Sequence, residues 1–288
     1  MVVWELDFYS RPLLDEKGKK RWELLLGERP TAVTQDLSSL YRYSAFCSST
    51  EVNSVWLRQA LETAIDQAAA PPDRIRFFRR QMNNMITKAC DEAGLPVSPS
   101  RRTLALNRWI EARMASVYPD MPGYSPGVSS SVGYPPEPPQ PLPDALRGDR
   151  WAVVNLEAGA LLEMPDWDVQ FGDAFPLDLA DIAPNTPVPG LIIFSPRAAA
   201  IGAWMSGLEI AYLSVEPTQV GALGILLHTG ASDAWIVANL ATEPVRREAE
   251  AFEAMKQAAN NTHFLGIQAA PDSQSFAGFW LLQERNLA

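Results

Sequence analysis

The sequence holds few of the groups that catalysis or covalent cross-linking needs. Its two cysteines, Cys47 and Cys90, make no disulfide framework and lack zinc-site spacing. They read as small buried hydrophobes. The two histidines, His228 and His263, lie far apart, each in or beside a predicted strand. No HExxH, no Ser-His-Asp order and no glycine-rich phosphate loop ahead of a helix occurs. Hydrolase chemistry therefore has little to stand on, and no enzyme, metal site or cofactor is expected. No apolar run reaches the roughly 18 residues of a membrane helix, so no membrane span is expected. A positive balance is missing too. The 24 Lys/Arg against 34 Asp/Glu leave −10, which argues against a simple basic nucleic-acid binder.

What is present is a soluble globular composition, 47% hydrophobic and 20% charged in 288 residues, long enough for two cores. The charge is unevenly placed. Residues 1–120 hold 17 Lys/Arg against 15 Asp/Glu, and residues 121–288 hold 7 against 19. A polyanion is tolerated by the first half and repelled by the second. The chain opens straight into a strand without a signal or transit stretch, so a cytoplasmic protein is expected.

That opening, Val2 to Pro12, alternates. Val2, Trp4, Leu6 and Phe8 share one face, and Val3, Glu5, Asp7 and Tyr9 the other. A second strand follows at Arg21–Gly27 and a third at Tyr41–Cys47. Asn53 caps a helix running to about Ala69, Arg74–Arg80 (RIRFFRR) is a short strand, and a helix runs from Gln81 to Ala93 with Gly94 beyond it. Another helix begins after Ser100-Arg101-Arg102-Thr103. Nine prolines then fall between Pro119 and Pro143, a composition that suits an interdomain linker. The alternative is an ordered loop anchored by Tyr124 and Tyr134.

Strands are predicted next at Trp151–Leu156 and Leu191–Phe194, then a helix capped by Ser195-Pro196 and three strands from Leu208, Ala222 and Ala234. A helix from Glu243 to Asn260 and strands at Phe264–Gln268 and Phe276–Gln283 finish the chain. The expected class is α+β in two domains, 1–118 and 149–288, joined by the linker 119–148. Each domain is expected to carry a mainly antiparallel sheet with helices on one side, in strand-strand-strand-helix-strand order. The second also has the element order of a restriction-nuclease-like core, but its middle strands ALGILLHT and AWIVANL carry none of the carboxylates that would hold Mg²⁺.

Three clusters bear on function. Glu5, Asp7 and Glu23 sit on adjacent predicted strands, where they either share a cation or, as favoured here, are solvated charges facing Arg11, Arg21 or Arg42. RIRFFRR interleaves Arg74, Arg76, Arg79 and Arg80 with Phe77 and Phe78, the mixture that combines phosphate contact with base stacking. Arg101 and Arg102 lie at a helix start, where backbone amides also favour phosphate. The bland alternative for these arginines is an edge strand or helix end kept soluble. The closing strand GFWLLQE reads from pattern alone as a strand completing the second sheet.

Both ends together are more specific than either alone. An opening WELDFYSRP, a nearby RWELLLGE, a central SRRT and a closing GFWLLQE resemble the Tab/Atab family, whose members are RNA-binding factors for translation of photosystem subunits in cyanobacteria and plastids. The likeness spans nearly the whole chain, with specific motifs at the ends and a looser match between. It implies binding of single-stranded A/U-rich leader RNA, activation of a photosystem I core-subunit message, and no catalysis or cofactor. It assigns RNA binding to Trp280, Leu281 and Leu282, beside the arginines Arg76, Arg79, Arg80, Arg101 and Arg102 read from the sequence. Cytoplasmic location follows for a cyanobacterial member, and plastid stroma if a presequence has been removed. The acidic second half points instead to protein partners in translation or photosystem assembly, the alternative role.

Overall fold

The computed structural model describes residues 1–127, 137–218 and 222–285. They form two compact units, one from residues 1–29 and 38–127 and the other from 30–37 and 137–285.

The first unit is built on β1 (Val3–Leu14). Strands β2 (Lys20–Glu28) and β3 (Arg42–Cys47) add to it as an antiparallel meander. Helices α1 (Ser54–Gln67) and α2 (Asn83–Glu92) then carry the chain back, so β4 (Arg74–Phe77) and β5 (Val97–Pro99) pair parallel, as crossover connections require. The order is β3-β2-β1-β4-β5. The Asn53 side chain accepts from the Trp56 amide at 2.9 Å and starts α1, while Gly94, at φ +71°, lets the chain leave α2. Trp4, Leu6 and Phe8 pack with Leu24, Leu26, Leu57, Leu61 and Ile86. Each such side chain contributes about 1.5–3 kcal/mol by leaving water.

The opposite face of β1 is also covered. Helix α3 (Leu104–Ser116) lies on it, with Leu106 packed against Leu25 and Phe78 and flanked by Trp109 and Ile110. Glu5, Asp7 and Glu23 are 2%, 0% and 0% exposed. The expectation that these acids are solvated is thus corrected. Strand alternation distinguishes two faces, but a polar face turned to water and one covered by an arginine-bearing helix share the same pattern.

The second unit contains β6 (Gln140–Pro141), β7 (Arg150–Glu157), β8 (Val169–Asp173), α4 (Leu177–Ala180), β9 (Pro187–Phe194), α5 (Ala198–Ser206), β10 (Ile210–Pro217), β11 (Leu223–Thr229), β12 (Asp233–Asn239), α6 (Glu243–Ala258), β13 (Thr262–Gln268) and β14 (Phe276–Gln283). They form two sheets, β10-β11-β12-β6 and β7-β9-β13-β14-β8. Their shared core joins Leu191, Ile201, Leu213, Leu227, Phe252 and Trp280. The α+β class holds, with mixed sheets flanked by helices. Three strands of the nuclease-like run pair with each other, and β13, which follows them, belongs to the other sheet; the order by itself does not establish a nuclease-like core.

Helix α5 begins two residues later than Pro196, because the Ser195 hydroxyl accepts from the Arg197 amide at 3.2 Å and holds a turn first. Both ends of the proline-rich stretch are tied down. Ser125 donates to the Pro12 carbonyl and Leu14 to that of Gly123, at 2.9 and 2.8 Å. Gly123 has φ +81°, and a Cβ there would meet the Leu14 oxygen at 2.1 Å, so no other residue fits. Tyr124 bridges Leu13, while Tyr134 lies outside the described residues. At the other end β6 pairs with β12, an edge position where proline costs no ladder bond.

Candidate functional site

The α3-covered face of the first sheet carries a closed charge network. Arg11 contacts Asp7 at 2.8 Å and Glu23 at 3.0 Å, and Arg79 contacts the other Asp7 oxygen at 2.8 Å. Glu23 also accepts from Tyr118 at 2.6 Å and from Arg113. Burial pushes the Asp7 carboxyl up, but Arg11 and Arg79 outweigh it and hold the group below the usual range. Breaking one partner out of such a buried set costs about 3–5 kcal/mol. Residues from WELDFYSRP and RWELLLGE thus fasten β1 to β2, to Arg79 beyond β4 and to α3. Their oxygens are occupied by arginine and tyrosine donors, and among the described residues no group of three His, Cys, Asp or Glu could hold a metal ion.

Glu5 is held differently. Its carboxylate accepts from the Leu106 amide at 2.7 Å, inside the first turn of α3, a favourable place for negative charge. Burial nevertheless dominates and raises its pKa to about 7, with the Leu106 bond and Arg29, Arg76 and Arg102 acting against it.

The arginines named from the sequence divide by depth. Arg76 sits beside Glu5 in the β1–β4 register and is 9% exposed. Arg79 is 7% exposed, with its guanidinium 4.1 Å from the Tyr9 ring and 4.7 Å from that of Phe78. Arg80 opens a single 3-10 turn and is half-buried, as are Arg101 and Arg102 ahead of α3. The Arg102 amide donates to the Ser100 hydroxyl at 3.0 Å. Trp280, Leu281 and Leu282 lie in β14 with exposures of 4%, 0% and 0%. Trp280 and Leu282 enter the shared core, and Leu281 turns the other way with Phe279, which stacks on Phe264 at 5.1 Å. The closing motif ends on Glu284, which meets the buried Lys256 ammonium at 2.6 Å.

Two other groupings are brought together by folding. His228 stacks on Tyr212 at 4.3 Å and its Nε2 meets the Ser214 hydroxyl at 2.7 Å and a Glu216 oxygen at 3.2 Å. The His228 hydrogen bond is the main reason the Glu216 pKa is lowered to about 2. Serine, histidine and carboxylate meet here, but hydroxyl and carboxylate share one ring nitrogen, whereas a relay places them on opposite nitrogens. On the first sheet, Arg21 lies 4.5 Å from the centre of Phe46 and Arg42 lies 5.5 Å from that of Trp109. Sequence reading passed over these arginines except as partners for acids. Their only local signal is alternation along RWE and RYSAF. Cys47 and Cys90 are buried, and burial pushes both thiols up to about 12.

Residues 3–113 match the domain described as RNA-binding protein Tab2/Atab2 N terminal, and residues 129–283 match the C-terminal domain of RNA-binding protein Tab2/Atab2. Proteins named TAB2 homolog, chloroplastic, from Zea mays and Arabidopsis thaliana are each 37% identical over 286 residues. The alignments cover 97% of this chain and 70% and 74% of those proteins. A solved structure, of a simian T-cell lymphotropic virus intasome with the PP2A regulatory subunit B56 gamma, has a chain 12% identical over 42% of this one and 43% of its own length, at a TM-score of 0.26. That likeness is too weak to bear on the fold.

Proposed function

Because the chain belongs to the Tab2/Atab2 family of RNA-binding proteins, we propose that it binds single-stranded, A/U-rich leader RNA and promotes translation of a photosystem I core subunit, and with it photosystem biogenesis. The match of both halves to the two domains of an RNA-binding family carries this reading. The chloroplastic designation of the plant relatives supports action where such messages are translated, in plastid stroma or a cyanobacterial cytoplasm. The first unit supplies the cations. Arg80, Arg101 and Arg102 are accessible enough to meet phosphate, while Arg76 and Arg79, deeper and beside Glu5 and Asp7, hold the surface that presents them. Trp280, Leu281 and Leu282 support RNA binding by keeping the second unit folded. No catalytic step is proposed.

A second reading, a protein-interaction or photosystem-assembly factor, is favoured by the acidic second half, with 7 Lys/Arg against 19 Asp/Glu in residues 121–288. Salt dependence separates the two. RNA contact releases counterions, so the logarithm of the affinity should fall linearly with that of salt, by about 0.7 per phosphate neutralised on a single strand. Anisotropy titrations of a labelled A/U-rich strand at several salt concentrations measure this. Absence of salt-dependent binding would leave the assembly-factor reading standing alone.

A further inference from the structure

Most basic groups on the α3-covered face of the first sheet serve the fold. Arg11, Arg79 and Arg113 each hold a buried carboxylate. Arg21 and Arg42 do not. Among the described residues neither guanidinium pairs with an acid, and each lies against an aromatic ring instead, Arg21 on Phe46 and Arg42 on Trp109. In a chain of net charge −10, two cations left without acids on one sheet face are unexpected on electrostatic grounds.

The register explains how they come together. Glu23 faces Phe46, Leu25 faces Ser44 and Gly27 faces Arg42 across β2 and β3, and directly opposed residues share a face. Trp109 of α3 reaches over Gly27, where a Cβ would touch its ring at 3.9 Å. Arg42 and Ser44 are exposed, and Arg21, Phe46 and Trp109 are half-buried. The two arginine–aromatic pairs are therefore spaced about 13 Å apart along an edge strand, at 3.3 Å per residue. Glu23, which faces Phe46 across β2 and β3, is already engaged by Arg11, Arg113 and Tyr118.

The geometry points to this β3–α3 edge as a binding site for single-stranded RNA, in which Arg21 and Arg42 take backbone phosphates and Phe46 and Trp109 offer faces to bases. It rests on the RNA-binding reading above and names the surface for it. A guanidinium lying on a ring is held in place at little entropic cost and keeps its N–H edge outward for a phosphate. Base stacking on such rings is indifferent to sequence. The site therefore supplies affinity rather than message selection.

The test uses the full chain with Arg21→Gln and Arg42→Gln combined, titrated with a labelled A/U-rich single strand over a range of salt. The salt slope should shrink by about 1.4, from two lost contacts of about 0.7 each, with the thermal midpoint unchanged. Arg58→Gln, on α1 across the sheet, serves as a control and should leave the slope alone. Quenching of Trp109 fluorescence by RNA, read as the part of the signal lost in Trp109→Phe, gives a second measure. An unchanged slope in the double variant, or an equal loss in the control, overturns this site while RNA binding stands. Absence of salt-dependent binding by the wild type overturns both.

Discussion

Glu5 links the fold to pH, and replacing it with glutamine isolates the effect. The buried carboxyl is raised from 4.5 to about 7 in the folded chain, so the folded state holds this proton more tightly than the unfolded one. Stability from that preference is fully present below pH 4.5 and is lost as pH rises through about 7. At 1.36 kcal/mol per pH unit, the whole window is worth roughly 3 kcal/mol, most of it between pH 5 and pH 8. Glu5→Gln keeps an oxygen to accept from the Leu106 amide and removes the titration. Its absolute stability depends on where the new NH₂ group points, so the readout is the slope. Urea unfolding of both proteins at pH 5, 6, 7 and 8 measures it, with exchange protection of the β1 amides assigning the transition to the first unit. Wild type should lose roughly 2–3 kcal/mol relative to the variant across that range. Parallel profiles, with a difference constant in pH, would refute the placement of a protonated Glu5 under α3.

Trp280→Ala should cost about 3–5 kcal/mol of stability, with any RNA defect tracking the unfolded fraction; a stable variant with reduced RNA affinity would make Trp280 a contact residue instead. Arg79→Met leaves Asp7 with Arg11 alone and should cost about 3 kcal/mol in urea unfolding, so an unchanged midpoint would show that the Arg79 pair adds nothing. Cys47 and Cys90, with thiols pushed up to about 12, should resist a thiol reagent at pH 8 until denaturant is added; rapid labelling of the native chain would contradict their burial. Limited proteolysis is expected to cut first between Pro119 and Arg150 and to leave two stable fragments, and a first cut elsewhere would argue against the linker at 119–148.

Local chemistry carried most of the element plan. Alternation in β1, the Asn53 cap, Gly94 after α2 and the paired faces of β14 follow from periods of 2 and 3.6 and from caps that act within four residues. The end motifs made the family legible, since WELDFYSRP and GFWLLQE are specific as strings. What the strings do physically was hidden. Asp7, Arg11, Glu23, Arg79 and Arg113 are up to 106 residues apart in the sequence, and their charges cancel only when α3 closes over β1. A single strand cannot show whether its polar face meets water or arginine. The same holds for Arg21 and Arg42, whose aromatic partners come from β3 and α3, and for His228, which the β10–β11 register sets opposite Tyr212 and whose ring reaches Glu216 at 3.2 Å. The sequence alone determined the longer strands and helices, the Asn53 cap and the family, because those depend on neighbours along the chain, whereas the short β5, β6, β8 and α4 left no readable period. Tertiary structure alone decided which charges are buried and which face solvent, because desolvation and pairing depend on what packs above them.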